Sequence, residues 1–281
     1  MTLSSTNFTF VSRLVRQEAS IILEPGKEYL VEGRLLTLAR KAGAQNVDEY
    51  LQQVQSRPDP IANHMIVDAL TTNETSWFRD REPFQALTDT VLPNLVTNRA
   101  NHRGLRIWSA ACSSGQEPYS IAMLLEDAIP AGWRYEIMAS DISSEMIKRA
   151  ETGEFSQVEM NRGLPAQLLV RHFERHGASW RIAPSLRRSV TFRRLNLSTP
   201  IPSHQPFDVI FLRNVLIYFD VSTKRSVLHN VSQLLRPDGW LFLGAAETTI
   251  GIDERFERVP AGRASAYRLR TPAPLSAVGK G

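Results

Sequence analysis

The chain has 281 residues, 42% hydrophobic and 22% charged, an ordinary composition for a globular protein with one or two buried cores. Its single cysteine, Cys112, excludes an internal disulfide and a cysteine-rich zinc site. The N-terminus lacks a basic start followed by an apolar core, and no apolar run approaches the roughly 20 residues that cross a bilayer, so a cytoplasmic protein without membrane insertion is expected.

In chain order, residues 1–75 predict an all-helical domain without strand signal. Phe8, Val11, Leu14 and Val15 fall at helical spacing, as do Leu30, Leu35, Leu36 and Leu38, then Tyr50, Leu51 and Val54. Pro58 and Pro60 interrupt the pattern before a further helix over 61–70. Lys27, Arg34 and Lys41 recur every seven residues, which puts them on roughly one helix face. That face is either simply solvated or a contact for an acidic partner.

From residue 105 the pattern becomes strand alternating with helix. Apolar strands are predicted at 105–111, 135–140, 207–213 and 240–247, with amphipathic helices at 117–129, 143–151 and 223–235 between them. This alternation predicts an α/β domain over 76–274 with a doubly wound, mostly parallel sheet. A closing pair, 256–260 and 266–270, flanks a glycine turn and predicts an antiparallel strand at the sheet edge. Residues 160–195 interrupt the alternation with strand-like pieces at 179–184 and 189–195, read as a small inserted antiparallel subdomain. The insert holds eight arginines against one acid, Glu174, a local charge of +7 in a chain whose total is +4. It is either a solvated surface or an electrostatic landing site. The tail 275–281 reads as disordered.

Ligands of doubly wound sheets bind beyond the carboxyl ends of the strands, where strand order reverses. Three segments end strands there. Residues 109–118 carry small side chains and Gly115, allowing a tight turn and close ligand approach, but lack the glycines of a dinucleotide pyrophosphate cradle. Asp141 ends the second strand, where a carboxylate either accepts the hydroxyls of a ribose or caps the next helix. Arg213-Asn214 follow a buried strand, with Tyr218 close behind. Together these point to a nucleoside bound without a phosphate cradle, which suits S-adenosylmethionine better than a dinucleotide.

At this point the sequence resembles the CheR family of chemotaxis receptor methyltransferases over nearly its whole length. The residues that carry the resemblance are Thr71-Thr-Asn-Glu-Thr-Ser-Trp-Phe-Arg-Asp80 at the domain junction, Ser114-Gly-Gln-Glu-Pro-Tyr-Ser120, Asp141, Phe207-Asp-Val-Ile-Phe-Leu-Arg-Asn-Val-Leu-Ile-Tyr-Phe-Asp220, and Leu235-Arg-Pro-Asp-Gly-Trp-Leu-Phe-Leu-Gly244. It implies methyl transfer from S-adenosylmethionine, leaving S-adenosylhomocysteine, to glutamates on the helical cytoplasmic bundle of methyl-accepting receptors. A protein-glutamate O-methyltransferase recruited to receptor arrays is thus expected. By motif, Asn73, Thr75 and Arg79 contact the cofactor from the junction, Glu117 lies at its methionine end and Asp141 holds the ribose. Asn196-Leu197 and Arg213-Asn214 line the adenine side, and Arg79 and Tyr218 stand near the methyl group as catalytic candidates. Arg79 could instead pair with Asp80 or Glu82, and Tyr218 could be a core aromatic. Gln116 departs from the family's common acid, while Glu117 is kept. The turn 174–180 is shorter and poorer in glycine than in relatives that dock on a receptor pentapeptide, so a pentapeptide tether is not expected to be required.

The chemistry suits these residues. A glutamate, with a pKa of about 4.3, is already anionic at neutral pH, so displacement at a sulfonium methyl requires no general base. No Ser-His-Asp pattern or paired catalytic acids are found. Six histidines are scattered, and His172 and His176 share helical spacing without a third ligand, so no metal is expected. Receptor contacts are assigned to Lys27, Arg34 and Lys41 and to Arg181, Arg187 and Arg188 of the insert, with association steered by charge. A nucleic-acid methyltransferase is disfavoured: no polar-Pro-Pro-aromatic motif follows the fourth strand, and aromatics interleaved with the arginines are sparse. Intact motif positions likewise argue against a non-enzymatic adaptor that only senses the cofactor.

Overall fold

The computed structural model describes residues 3–201 and 205–270, so the tail assigned to 275–281 lies outside the described residues. Four helices open the chain: α1 (Ser5–Ala19), α2 (Glu28–Lys41), α3 (Val47–Ser56) and α4 (Pro60–Leu70). Each of α1, α3 and α4 starts where a side chain satisfies a free amide: Ser4 accepts from the Asn7 amide, Asn46 from Glu49, and Asp59 from Ile61. Asp48 ties the start of α1 to α3 by accepting from the Ser4 hydroxyl at 2.7 Å. The face predicted for α2 needs correction. Its buried residues are Val31, Leu35 and Ala39, four apart and therefore stacked on one side. Leu30 and Leu38 are half-buried and Leu36 is exposed.

The α/β domain begins with α5 (Glu82–Ala86), a π-turn over Leu87–Val91, and α6 (Leu92–Asn98). Strand and helix then alternate: β1 (Gly104–Ala110), α7 (Gln116–Ala128), β2 (Arg134–Asp141) and α8 (Ser144–Thr152). An excursion follows through β3 (Glu154–Ser156), α9 (Gln157–Met160), α10 (Ala166–His172), β4 (Phe173–His176), β5 (Ser179–Ile182) and α11 (Pro184–Ser189). The chain rejoins the main sheet with β6 (Val190–Arg194) and β7 (Phe207–Leu212). A single 3-10 turn (Leu216–Tyr218), α12 (Val221–Leu234), β8 (Leu235–Leu243), β9 (Phe256–Val259) and β10 (Ala266–Leu269) complete it.

The seven-stranded sheet has the order β6-β2-β1-β7-β8-β10-β9. Its first five strands are parallel, and β10 runs antiparallel to both β8 and β9, as the closing pair predicted. Alternate residues of β1 enter two cores: Leu105 and Ile107 pack on one face of the sheet, Trp108 and Ala110 on the other. The order reverses between β1 and β7, which creates a cleft beyond Ala110 and Leu212. Among the described residues, no helix is long and apolar enough to cross a membrane.

The small antiparallel sheet is present, in the order β3-β5-β4, but its composition differs from the prediction. It begins at Glu154, before residue 160. The strand expected in it at 189–195 is instead β6, which pairs in parallel with β2 at the edge of the main sheet. Val190 and Phe192, spaced by two, contribute to the main core, which a strand pattern read in isolation cannot reveal. His172 and His176 also separate: the first ends α10 and the second lies on β4, so their helical spacing does not bring them together.

Trp77 fastens the domain junction beneath this insert. It is almost fully buried and stands edge-on to Phe155 of β3 at 4.7 Å and Phe173 of β4 at 5.3 Å. Its amide donates to the Arg162 carbonyl at 3.0 Å. Gly163, at φ +96°, makes this approach possible, because a Cβ there would lie 2.3 Å from the Trp77 carbonyl oxygen. Gly177, at φ +59°, faces open space. Replacing Gly177 with alanine is therefore expected to cost about 1–2 kcal/mol from the left-handed backbone alone. The Gly163→Ala change adds a backbone clash and should cost about 3 kcal/mol or more in urea unfolding. Equal losses for the two variants would contradict the close approach.

Candidate active site

The turn between β1 and α7 is built from backbone conformations that side chains rarely adopt. Ala111, Ser113 and Gly115 all have positive φ, of 58°, 50° and 96°. Only glycine suits the last position: a Cβ would lie 3.0 Å from Ala150 Cβ and 3.2 Å from the Tyr119 ring, so its absence lets α7 start close against α8. The turn is held open toward the cleft by Asp141, whose Oδ2 accepts from the Ser113 amide at 2.8 Å and whose Oδ1 accepts from the Ser143 amide at 2.9 Å. The helix-cap alternative for Asp141 is not realised, because Ser143 caps α8 by accepting from the Met146 amide. Asp141 thus sits at the tip of β2 with only 7% exposure and its carboxylate beside the cleft. Burial pushes its carboxyl above the usual range, against the pull of the two amide donors.

Beyond β7, Arg213 is the most constrained charge in the site. Its side chain is 1% exposed, and Nη1 donates to Glu117 Oε2 at 2.7 Å. Nη2 donates to both Asp80 Oδ2 and the Arg79 carbonyl, each at 2.7 Å. Glu117 is held on its other side by the Ser109 hydroxyl at 2.8 Å. One guanidinium therefore joins α7, the end of β7 and the junction. Arg213 is consequently drawn to Glu117, while Asn196, the residue it was expected to accompany, is bound to the Glu18 carbonyl.

The next residue, Asn214, takes φ +57°. Glu247 holds this turn: its Oε2 accepts from the Asn214 and Gly244 amides at 2.8 and 2.7 Å, and its Oε1 from Val215 and Leu216 at 2.8 and 2.7 Å. Gly244 suits this packing as well, because a Cβ would lie 2.7 Å from the amide-bound Glu247 Oε2 and 3.0 Å from the Asn214 backbone nitrogen. Glu247 was not anticipated from sequence. The small residues that follow β8 are the only trace of so close a packing.

The junction itself is strained, with Phe78, Asp80 and Arg81 all at positive φ. This sharp path turns Arg79 toward the cleft. Its Nη1 donates to the Glu74 carbonyl at 2.8 Å, and among the described residues it makes no ion pair. The expected alternatives are not realised: among the described residues Arg79 pairs with neither Asp80 nor Glu82, and Asp80 Oδ2 is bound to Arg213 instead. Tyr218, in the 3-10 turn, is half-buried, and its hydroxyl bonds to none of the described residues.

One cleft unites these groups. Asn73, Thr75, Arg79, Glu117, Asp141, Asn196, Leu197, Arg213, Asn214 and Tyr218 all line it, around about 920 Å³ of space out to its mouth. Ala19, Ile21 and Cys112 line it too, which the sequence did not signal. The first two come from the end of α1 and the segment after it. Asn196 explains their presence: its Nδ2 donates to the Glu18 carbonyl at 2.8 Å, and Ser20 Oγ donates to Ser198 Oγ at 2.9 Å. The Asn196 amide is thus committed to the helical domain, and Leu197 supplies apolar wall. Burial drives the Cys112 thiol well above its ordinary pKa, so it serves as packing and not as a nucleophile.

The cationic residues assigned to a partner lie outside this cleft. Arg34 is committed to the Leu70 and Thr71 carbonyls, at 2.7 and 2.8 Å, where it caps the end of α4. Lys27 precedes α2 and pairs with Glu24 at 3.0 Å, so the predicted three-residue stripe is not a face of free cations. Arg181 is bound to Glu154, with its Nε at 3.0 Å. Lys41, Arg187 and Arg188 are exposed. Among the described residues no group of three metal-ligating side chains is assembled.

The cleft's chemistry suits S-adenosylmethionine: a buried acceptor for a diol at Asp141, tight turns at Gly115 and Gly244, and charged groups at the opposite end. Comparison with known proteins agrees. Residues 6–71 match the model of the CheR methyltransferase all-alpha domain, and residues 73–264 match that of the CheR methyltransferase SAM binding domain. A chemotaxis protein methyltransferase 1 of Pseudomonas aeruginosa is 38% identical over 278 residues, covering 96% of this chain and 100% of that protein. The chemotaxis protein methyltransferase Cher2 of Pseudomonas putida is 36% identical, with 96% and 100% covered. The chemotaxis protein methyltransferase of Escherichia coli is 36% identical, with 91% and 89% covered. The chain therefore belongs to the CheR methyltransferase family and is an S-adenosylmethionine-dependent methyltransferase with a helical domain closing one wall of its cofactor cleft.

Proposed function

We propose that this enzyme esterifies glutamate side chains on the cytoplasmic helical bundle of methyl-accepting chemotaxis receptors, acting as a protein-glutamate O-methyltransferase in the cytoplasm at receptor arrays. The observation that carries this reading is Arg79, a cation with no ion pair among the described residues, at the border of the cleft that Tyr218 also lines. S-adenosylmethionine supplies a methyl group on a positively charged sulfur that leaves as a neutral thioether. The incoming carboxylate is anionic already, so the protein's task is to align it and exclude water. Arg79 holds the carboxylate through a planar pair of donors, and the Tyr218 hydroxyl offers a further one. Asp141 accepts the ribose hydroxyls, Asn73 and Thr75 contact the cofactor from the junction, and Glu117 meets its methionine ammonium. Asn196, Leu197 and Asn214 enclose the base. The short β4–β5 hairpin, turning at Gly177, supports an enzyme that works without a receptor pentapeptide tether.

Incubation with methyl-labelled S-adenosylmethionine and receptor cytoplasmic fragments should place label on the fragment as an ester that alkali releases as methanol. Alkali-stable label, as on nitrogen, would contradict a glutamate acceptor. Arg79→Ala removes a charge-assisted contact of about 2–3 kcal/mol and should lower turnover at least tenfold while the circular dichroism stays native. Wild-type turnover in the folded variant would remove Arg79 from the mechanism.

Asp141 gives a pH signature. Ribose hydroxyls donate to its ionised form, whose pKa burial has raised, so titration calorimetry should show S-adenosylhomocysteine affinity falling with acidity at a pH above the usual aspartate value of about 3.9. The stability sign is opposite. A raised folded pKa means that this group favours the cofactor-free fold at low pH and disfavours it as pH rises through that pKa. On acidification affinity should therefore weaken while protonation of Asp141 stabilises the cofactor-free fold, and Asp141→Ala should bind at least tenfold more weakly without the pH step. An unchanged pH step in Asp141→Ala would assign it to another group.

A further inference from the structure

The strained segment 78–81 is a thin wall. On one side is the cofactor cleft, and on the other lies a wider, more open groove, about 1670 Å³ against about 920 Å³. Arg79 lines both. The groove is bordered also by Arg81, Arg162, Arg258 and Arg263, contributed by the junction, the insert and the β9–β10 hairpin. Arg162 pairs with Glu74 at 3.2 Å. Arg81, Arg258 and Arg263 are exposed and form no ion pair among the described residues. Of the two acids in the groove, Asp80 is bound to buried Arg213, which leaves Glu82 alone facing four unpaired arginines. Like charges gathered from three separate segments repel one another, so folding does not account for them. Past Arg81 and Gly163 the groove runs into a shallow trough floored by Phe78, Phe84, Leu164 and Leu168.

We propose that this groove seats an acidic, amphipathic helix of the methyl-accepting partner, with its apolar stripe in the trough and its glutamates along the arginine rim, so that one side chain reaches Arg79. The proposal rests on the glutamate-methylating function given above. It relocates the docking surface away from Arg34 and Arg181, both of which are committed to internal contacts. A surface of free arginines opening directly on the reaction centre supplies both electrostatic steering and register, with the rim weakened by salt and the trough much less so.

The test compares two charge-reversed enzymes, Arg258→Glu/Arg263→Glu and Arg187→Glu/Arg188→Glu, with a receptor cytoplasmic fragment as the methyl acceptor. The groove variant should raise KM for the fragment at least tenfold at low ionic strength and flatten its salt dependence. Its kcat at saturation and its calorimetric affinity for S-adenosylhomocysteine should stay within twofold of wild type. The insert variant should leave KM within twofold. The milder Arg258→Gln/Arg263→Gln enzyme should fall between wild type and the groove variant, and it carries the comparison if charge reversal prevents folding. A wild-type KM in the groove variants, or an equal rise in the insert variant, overturns the docking groove while leaving methyl transfer intact. Failure of the wild-type enzyme to methylate any fragment removes the functional reading itself, and the groove with it.

Discussion

The buried guanidinium of Arg213 is the constraint on which the site depends. A cation with 1% exposure is tolerated only where partners replace water, and Glu117 and Asp80 do so from different parts of the chain. Removing Arg213 or Glu117 typically costs about 3–5 kcal/mol, because a largely buried charge loses its counter-charge. The consequence for function is positional. Asp80 and the Arg79 carbonyl are both bound to Arg213, so the backbone of residue 79 is fixed while its guanidinium faces the cleft. Asp80 is turned to Arg213 and forms no pair with Arg79 among the described residues, which leaves that cation available for an anionic acceptor.

Around this centre two buried carboxylates hold the backbone in place. Four amides converge on Glu247 and two on Asp141, and each carboxylate fixes a turn at the end of a different strand. Left-handed residues cluster in the same places, at 111–115, 78–81 and 214. Strain of this kind persists only when its surroundings determine it fully. Here the determinants are hydrogen bonds to buried carboxylates, together with Trp77 packed beneath the insert. The helical domain contributes a wall as well, through the Asn196 and Ser198 contacts to the end of α1.

Much of this was legible in the sequence, for physical reasons. The parallel strands β1, β2, β7 and β8 are short apolar runs that end in polar or small residues, so both their burial and their functional edge are readable. Asp141 and Glu117 stand at or just past those ends, and with Arg79 from the junction they converge on one cleft. Less legible was whatever depends on partners distant in sequence. The strand at β6 carries an ordinary alternating pattern, and only its pairing with β2 assigns it to the main sheet. Arg34 and Arg181 look like free cations until Leu70, Thr71 and Glu154 are seen beside them. Glu247 is an unremarkable acid in a loop until four amides point at it. The leucines of α2 misled because their number suggested a face, whereas the buried residues are those four apart.

Methyl transfer at this site depends most directly on the orientation of the cofactor between Asp141 and Arg79. A crystal structure of the complex with S-adenosylhomocysteine measures it. The expected result is a ribose diol on the Asp141 carboxylate, the base against Asn196 and Leu197, and the sulfur facing Arg79 and Tyr218. A nucleoside bound in the reverse sense, with its base at Glu117 and its sulfur remote from Arg79, would contradict the account.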